Sequence, residues 1–120
     1  MLQTINIKQD NPPADVAVAN LIQEINLAKL SHEGAIKVIH GYGSHGVGGL
    51  IKQQAHSALK DLRHKKLILD YIPGEQFSPN NKYYKKLIET YPELILDKDL
   101  YPPNSGVTLV LIRLGGFGNI

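Results

Sequence analysis

Polar and hydrophobic positions alternate at the start of the chain, where Ile5 and Ile7 are separated by polar neighbours across 4–8 and predict a half-buried strand. Residues 9–13 break that pattern. Asp10 or Asn11 stands where a helix cap is expected, and Pro12 and Pro13 suit a first turn. From 14 to about 30 the period lengthens, with Val18, Leu21, Ile22, Ile25 and Ala28 on one helical stripe that 31–34 brings to an end. Residues 35–40 form a second apolar, branched run. Residues 49–64 return to helical spacing, with Leu50, Ile51, Ala55, Ala58, Leu59 and Leu62 on one face. A third branched run over 67–72 stops at Pro73-Gly74. The order is β-α-β-α-β with short connections, and right-handed crossovers place these three strands in parallel.

The pattern is less regular over 75–103. Ser78-Pro79 reads as an N-cap and first-turn proline. Tyr84, Leu87, Ile88 and Tyr91 recur at helical spacing, so a short third helix is expected before Pro92. A brief extended piece is expected over 94–97. Pro102-Pro103-Asn104-Ser105-Gly106 is a turn, and 107–114 is a last strand rich in aliphatic residues. Residues 115–120 have little to bury and read as a mobile tail. The expected organisation is a single domain over 1–114.

Between the second strand and second helix the chain carries five glycines in the nine positions 41–49, just after His40. Glycine lets backbone approach a ligand closely, and a following helix start offers N–H groups to an anion. If the three strands are parallel, their carboxyl ends share the edge at which open α/β sheets bind ligands. Lys8 and Gln9, His40 with the glycine loop, and 70–73 would meet there, joined by Lys52 and Gln53 from the first turns of the second helix. Phosphates held by Lys8, Lys52 and loop amides, with Tyr42 or His45 stacked on a base, are the chemistry this set suits. A glycine turn with solvated polar neighbours is the plainer alternative.

Composition changes this picture little. A net charge of +2 and a pI near 8.8 are mildly basic and do not by themselves call for a polyanion. The absence of cysteine leaves neither a disulfide framework nor a thiolate metal site. No secretory leader pattern is visible and no apolar run is long enough for a membrane span, so a cytoplasmic location without membrane contact is expected.

Several motifs compete for the loop. Gly41-Tyr42-Gly43-Ser44-His45-Gly46 is a literal GxGxxG, with Asp70 where a ribose-binding acid would fall, but the glycine strand comes second and the loop is long. A phosphate-binding P-loop is excluded because no Gly-Lys-Ser or Gly-Lys-Thr follows the glycines. His32, His40, His45, His56 and His64 match no zinc spacing, and no metal or cofactor is expected. His56 and His64 read as solvated helix-face residues. Ser44 with His40 or His45 imitates a nucleophile and base but has no evident orienting acid. Lys82, Lys85 and Lys86 with Tyr83 and Tyr84 form a basic-aromatic patch, and Arg63, His64, Lys65 and Lys66 form another. Helix-end cations and core tyrosines are the plainer account of both, and a nucleic-acid surface is the alternative.

The run Ile36-Lys37-Val38-Ile39-His40-Gly41-Tyr42-Gly43-Ser44 resembles the strand and HGxG loop of the small MutS-related (Smr) domain family. Leu50-Ile51-Lys52 resembles the start of that family's second helix, and Pro73-Gly74-Glu75 and Gly106-Val107-Thr108-Leu109-Val110 resemble its closing segments. The likeness covers about 5–75 and 105–114, leaving 76–104 as an insertion with a short helix. It implies a two-layer α/β sandwich with a mixed four-stranded sheet, β-α-β-α-β-(α)-β, and binding of structured or branched DNA or RNA. Together with the sheet-edge reading above, the expected binding residues are Lys8, Gly41, Tyr42, Gly43, Ser44, His45 and Lys52. The chain departs from the family at the LDxHG motif of the first strand: Asn6 replaces the acid and Lys8 the histidine. Asparagine supplies no carboxylate base. Lysine is a phosphate cation and a poor proton shuttle at neutral pH. Binding with weak or lost nuclease activity is the resulting expectation. A nicking endonuclease using His40 as its catalytic residue, and a protein-interaction module docking through 76–104, are the alternatives.

Overall fold

The structure, a computed structural model, describes residues 1–41, 47–101 and 103–114, with only the backbone of Val47 and Gly48. Four strands form one sheet: β1 (Gln3–Asn6), β2 (Ala35–Ile39), β3 (Asp70–Pro73) and β4 (Val107–Leu111). Their spatial order is β1-β2-β4-β3. β1 runs parallel to β2, while β4 lies antiparallel between β2 and β3, so β1, β2 and β3 share one direction within a mixed sheet. The α/β architecture expected from the sequence is present.

Helices α1 (Ala14–Leu30) and α2 (Val47–His64) cover one face of the sheet. α1 has the expected bounds, but its buried stripe is Ala14, Ala17, Leu21, Ile25 and Ala28. Ile22, expected in the stripe, is 37% exposed because it lies a full residue-step (about 100°) beyond Leu21 around the axis. Asp10 and Asn11 cap nothing. They take left-handed φ values of 64° and 48° in the turn after β1, and Pro13 precedes the helix without a side-chain cap. On α2, Ile51, Ala55 and Leu59 reach the core, whereas Leu50 is 49% exposed.

Alternation along the strands sorts the two faces. Ile36, Val38, Val110 and Ile112 point toward α1 and α2. Ala35, Val107, Leu109 and Leu111 point the other way, into a second core built with 76–104. That segment contributes Phe77, Tyr83, Leu87, Tyr91, Leu94 and Leu100, none more than 6% exposed. It contains α3 (Tyr84–Thr90), which begins well after Ser78-Pro79 instead of being capped there. The piece expected to be extended over 94–97 is a 3₁₀ turn, Pro92–Leu96, started by its proline. The Tyr91 hydroxyl accepts hydrogen bonds from the amides of Gly34 (3.0 Å) and Ala35 (3.1 Å), tying the segment to the start of β2. Lys37, the one cation buried on this face among the described residues, meets Asp97 at 2.7 Å and Asp99 at 2.8 Å. Burial opposes its charge, but the two carboxylates outweigh burial and hold its pKa above the ordinary lysine value. Residues 76–104 therefore cover the second face of the sheet.

The third strand begins later than its apolar run. Leu67, Ile68 and Leu69 close the turn after α2, where Lys66 has φ 62° and the Leu67 amide returns to the Leu62 carbonyl. Asp70 thus starts β3 instead of ending it. At its far end, β3 is pressed against the start of β4. Pro73 pairs with Thr108, and a Cβ at Gly74 would collide with the carbonyl oxygens of Asn104 and Val107. Among the described residues no helix is long and apolar enough to cross a membrane.

Candidate functional site

The carboxyl ends of β1, β2 and β3 meet one edge together with the start of β4. The Ile7 amide bonds to the Ile39 carbonyl at 3.0 Å, which carries the β1–β2 pairing one residue further and sets Lys8 at this edge. Lys8 is exposed. Asn6 turns its Oδ1 back onto the Lys8 amide at 3.0 Å and so shapes the strand end. At the end of β2 the amides of His40 and Gly41 both donate to the Gly106 carbonyl at 3.0 Å. Gly41 has φ 73°, a left-handed conformation that glycine takes without a Cβ penalty.

Beneath this rim the helix-facing layer changes from apolar to polar. Along β2 the inward series runs Ile36, Val38, His40, and along β4 it runs Ile112, Val110, Thr108. His40 and Thr108 are fully buried. His40 Nε2 lies 2.7 Å from Thr108 Oγ1, and His56 Nε2, from α2, lies 2.7 Å from the same oxygen. His40 Nδ1 is 2.7 Å from the Gly41 carbonyl. The two imidazoles meet edge-on, 5.3 Å apart at 85°.

These contacts fix the proton order. A carbonyl only accepts, so His40 Nδ1 carries hydrogen and donates to Gly41. Burial, with the charges of His56 and Lys52 adding to it against the Gly41 hydrogen bond, pushes the His40 pKa down to about 4. At neutral pH its Nε2 is therefore a lone pair, and the Thr108 hydroxyl donates to it. Thr108 Oγ1 then accepts from His56 Nε2–H. His56 is also held below the ordinary histidine value, by burial first and then by Lys52. Its neutral ring keeps the remaining lone pair on Nδ1.

Two charged groups flank the histidines. Lys52, one helical turn before His56, meets Glu75 at 3.2 Å. Burial works to raise the Glu75 pKa, but its own amide and Lys52 outweigh it and hold the carboxylate below its usual range. The Tyr71 ring packs 5.5 Å from His56.

Of the residues singled out in the sequence, His40, Gly41, Lys8 and Lys52 gather at this edge. Tyr42, Gly43, Ser44 and His45 lie outside the described residues, as do Gly46 of the GxGxxG motif and the tail 115–120. Asp70 does not reach the edge. It pairs with Leu111 at the opposite end of the sheet and is engaged by Arg63 at 3.0 Å, which removes it from the dinucleotide reading. His56 is not a solvated helix-face residue, because the turn that places Lys52 at the rim brings it onto His40. His64 is exposed. Thr108, His56 and Glu75 join the site without being marked for it by the sequence pattern. A polar residue at an inward position of an otherwise apolar strand was the one available signal for Thr108.

No family model, curated protein or solved structure matches this chain. The site is therefore read from its own geometry.

The two basic patches are partly paired. Arg63 pairs with Asp70 and lies 5.2 Å over the Tyr71 ring, Lys65 pairs with Asp61, and Lys86 faces Glu89 at 4.0 Å. Tyr83 is buried, and burial together with the Asp70 carboxylate pushes its phenol up to about 12. Among the described residues no group of three or more His, Asp or Glu is placed to hold a metal ion.

Proposed function

We propose that this chain binds structured nucleic acid at the edge formed by the ends of β1, β2 and β3, with Lys8 and Lys52 as phosphate contacts. The observation that carries the reading is that Lys8 after β1, Gly41 after β2 and Lys52, paired with Glu75 after β3, stand along one edge of the sheet, where open α/β sheets receive ligands. The Lys52–Glu75 pair is partly exposed, with side-chain exposures of 22% and 40%, and such pairs are held weakly enough for a phosphate to compete. The Smr resemblance proposes the same edge and the same ligand class.

In this reading His40 is a scaffold. It is buried and both ring nitrogens are engaged, so no nitrogen is free to move a proton to or from a substrate. That favours binding with little or no cleavage over the His40-dependent endonuclease. A protein-docking role for 76–104 draws on few of its apolar side chains: Phe77, Tyr83, Leu87, Tyr91, Leu94 and Leu100 are spent on this chain's own sheet, and Ile95, Leu96 and Tyr101 are the large ones left exposed.

The test is binding of labelled hairpin RNA and branched DNA at two salt concentrations. Lys8→Ala and Lys52→Ala should each weaken binding and lower the slope of log affinity against log salt by about 1. Unchanged affinity and slope in both variants would remove the site assignment.

A further inference from the structure

The hydrogen-bond chain from Gly41 to His56 has a direction, and the direction leaves one atom available. Reading outward, the Gly41 carbonyl accepts from His40 Nδ1–H, His40 Nε2 accepts from the Thr108 hydroxyl, and Thr108 Oγ1 accepts from His56 Nε2–H. With the His40 ring neutral, each link is forced by the one before it, starting from a carbonyl that cannot donate. The outermost atom, His56 Nδ1, makes no hydrogen bond within the described residues, and its ring is half-buried beside Lys52 and Glu75.

We propose that His56 is a proton-gated phosphate contact of this edge, donating from Nδ1 to a phosphodiester oxygen held by Lys52. The inference rests on the phosphate-binding reading above and adds a residue and a condition to it. With Nδ1 unprotonated, a lone pair faces any phosphate oxygen and repels it. A proton on Nδ1 creates a charged donor without disturbing the Nε2–H bond to Thr108, because His56 already donates there. His40 cannot take this part: a second proton on its ring would face the Thr108 hydroxyl donor in a site with no water-facing nitrogen.

The groups around His56 fit such a contact. His40 faces it from the end of β2, Thr108 from β4 and Tyr71 from β3, with Arg63 beyond the Tyr71 ring. Lys52 from its own helix and Glu75 after β3 oppose and favour its charge respectively. A phosphate entering between Lys52 and His56 adds negative charge at this point and favours the imidazolium. Binding and protonation are thus linked in the same direction.

Two measurements separate this contact from the broader reading. In ¹⁵N-histidine NMR of the free protein, His40 should be the Nδ1–H tautomer and His56 the Nε2–H tautomer. The His56 titration midpoint should rise in sulfate relative to chloride at equal ionic strength. The opposite His56 tautomer, or a midpoint that sulfate leaves unmoved, would overturn the proposal whatever nucleic acid does. In the second measurement, wild-type affinity for a hairpin RNA should increase roughly tenfold between pH 7.5 and 5.5, the scale of one charge-assisted hydrogen bond. His56→Gln should bring that ratio close to one. A pH gain that survives His56→Gln would overturn the contact while leaving the edge assignment intact. Absence of binding at both pH values would remove the phosphate-binding reading, and this contact with it.

Discussion

At the scale of single residues, the polar end of the helix-facing core makes a prediction about stability. The unfolded His40 titrates near 6.5, and in the fold burial pushes it down to about 4. The unfolded chain therefore binds more protons between these values, and stability falls as the pH drops through that window. From pH 7 to pH 5, His40 alone should cost roughly 2 kcal/mol of unfolding free energy, with His56 adding in the same direction. Urea unfolding at the two pH values checks this, because ordinary carboxylates contribute little above pH 5. Equal stability at both would mean that His40 titrates freely. His40 and Lys52 were legible as site residues because a strand-loop-helix pattern marks its own ends. Thr108 and His56 were not, because they lie 68 and 16 positions from His40 and only the β2–β4 pairing and the packing of α2 bring the three together. Sequence neighbours carry no trace of that meeting.

At the scale of elements, periodicity reported burial more faithfully than backbone shape. α1 was legible at both ends because its apolar stripe is continuous and is bounded by Pro13 and Ser31. Residues 67–69 were misread because a branched apolar run can fill a turn: Ile68 is 1% exposed yet precedes β3. Leu94 was buried as its chemistry suggests, but Pro92 sets a 3₁₀ turn around it. The largest gap concerns 76–104, readable as carrying a short helix but not as the second face of the core. No sequence pattern says which sheet face a helix will cover. The consequence is that truncating this segment's apolar side chains should act on folding. Leu87→Ala, at a site fully shielded from solvent, should cost about 2–5 kcal/mol in denaturant unfolding. A loss below about 1 kcal/mol would show that the segment can detach from the sheet without harm.

At the scale of the whole molecule, the two cores divide the work. The face covered by 76–104 is closed by Tyr91 on the backbone of 34–35 and by the Lys37 pairs with Asp97 and Asp99, and it fixes β4 between β2 and β3. The face covered by α1 and α2 ends in the His40–Thr108–His56 chain, above which Lys8, Gly41, Lys52 and Glu75 form the rim. The competing basic surfaces lie elsewhere: Arg63 is engaged by Asp70 at the opposite sheet end, and Lys82 lies 5.0 Å over the Tyr83 ring. The most direct test of the account is amide chemical-shift mapping of the ¹⁵N-labelled protein with a hairpin RNA and with a branched DNA. Shifts concentrated on Lys8, Gly41, Lys52 and Glu75, and weakening with added salt, are the predicted result. Shifts concentrated on Arg63–Lys66 or Lys82–Lys86, or none with either ligand, would contradict it.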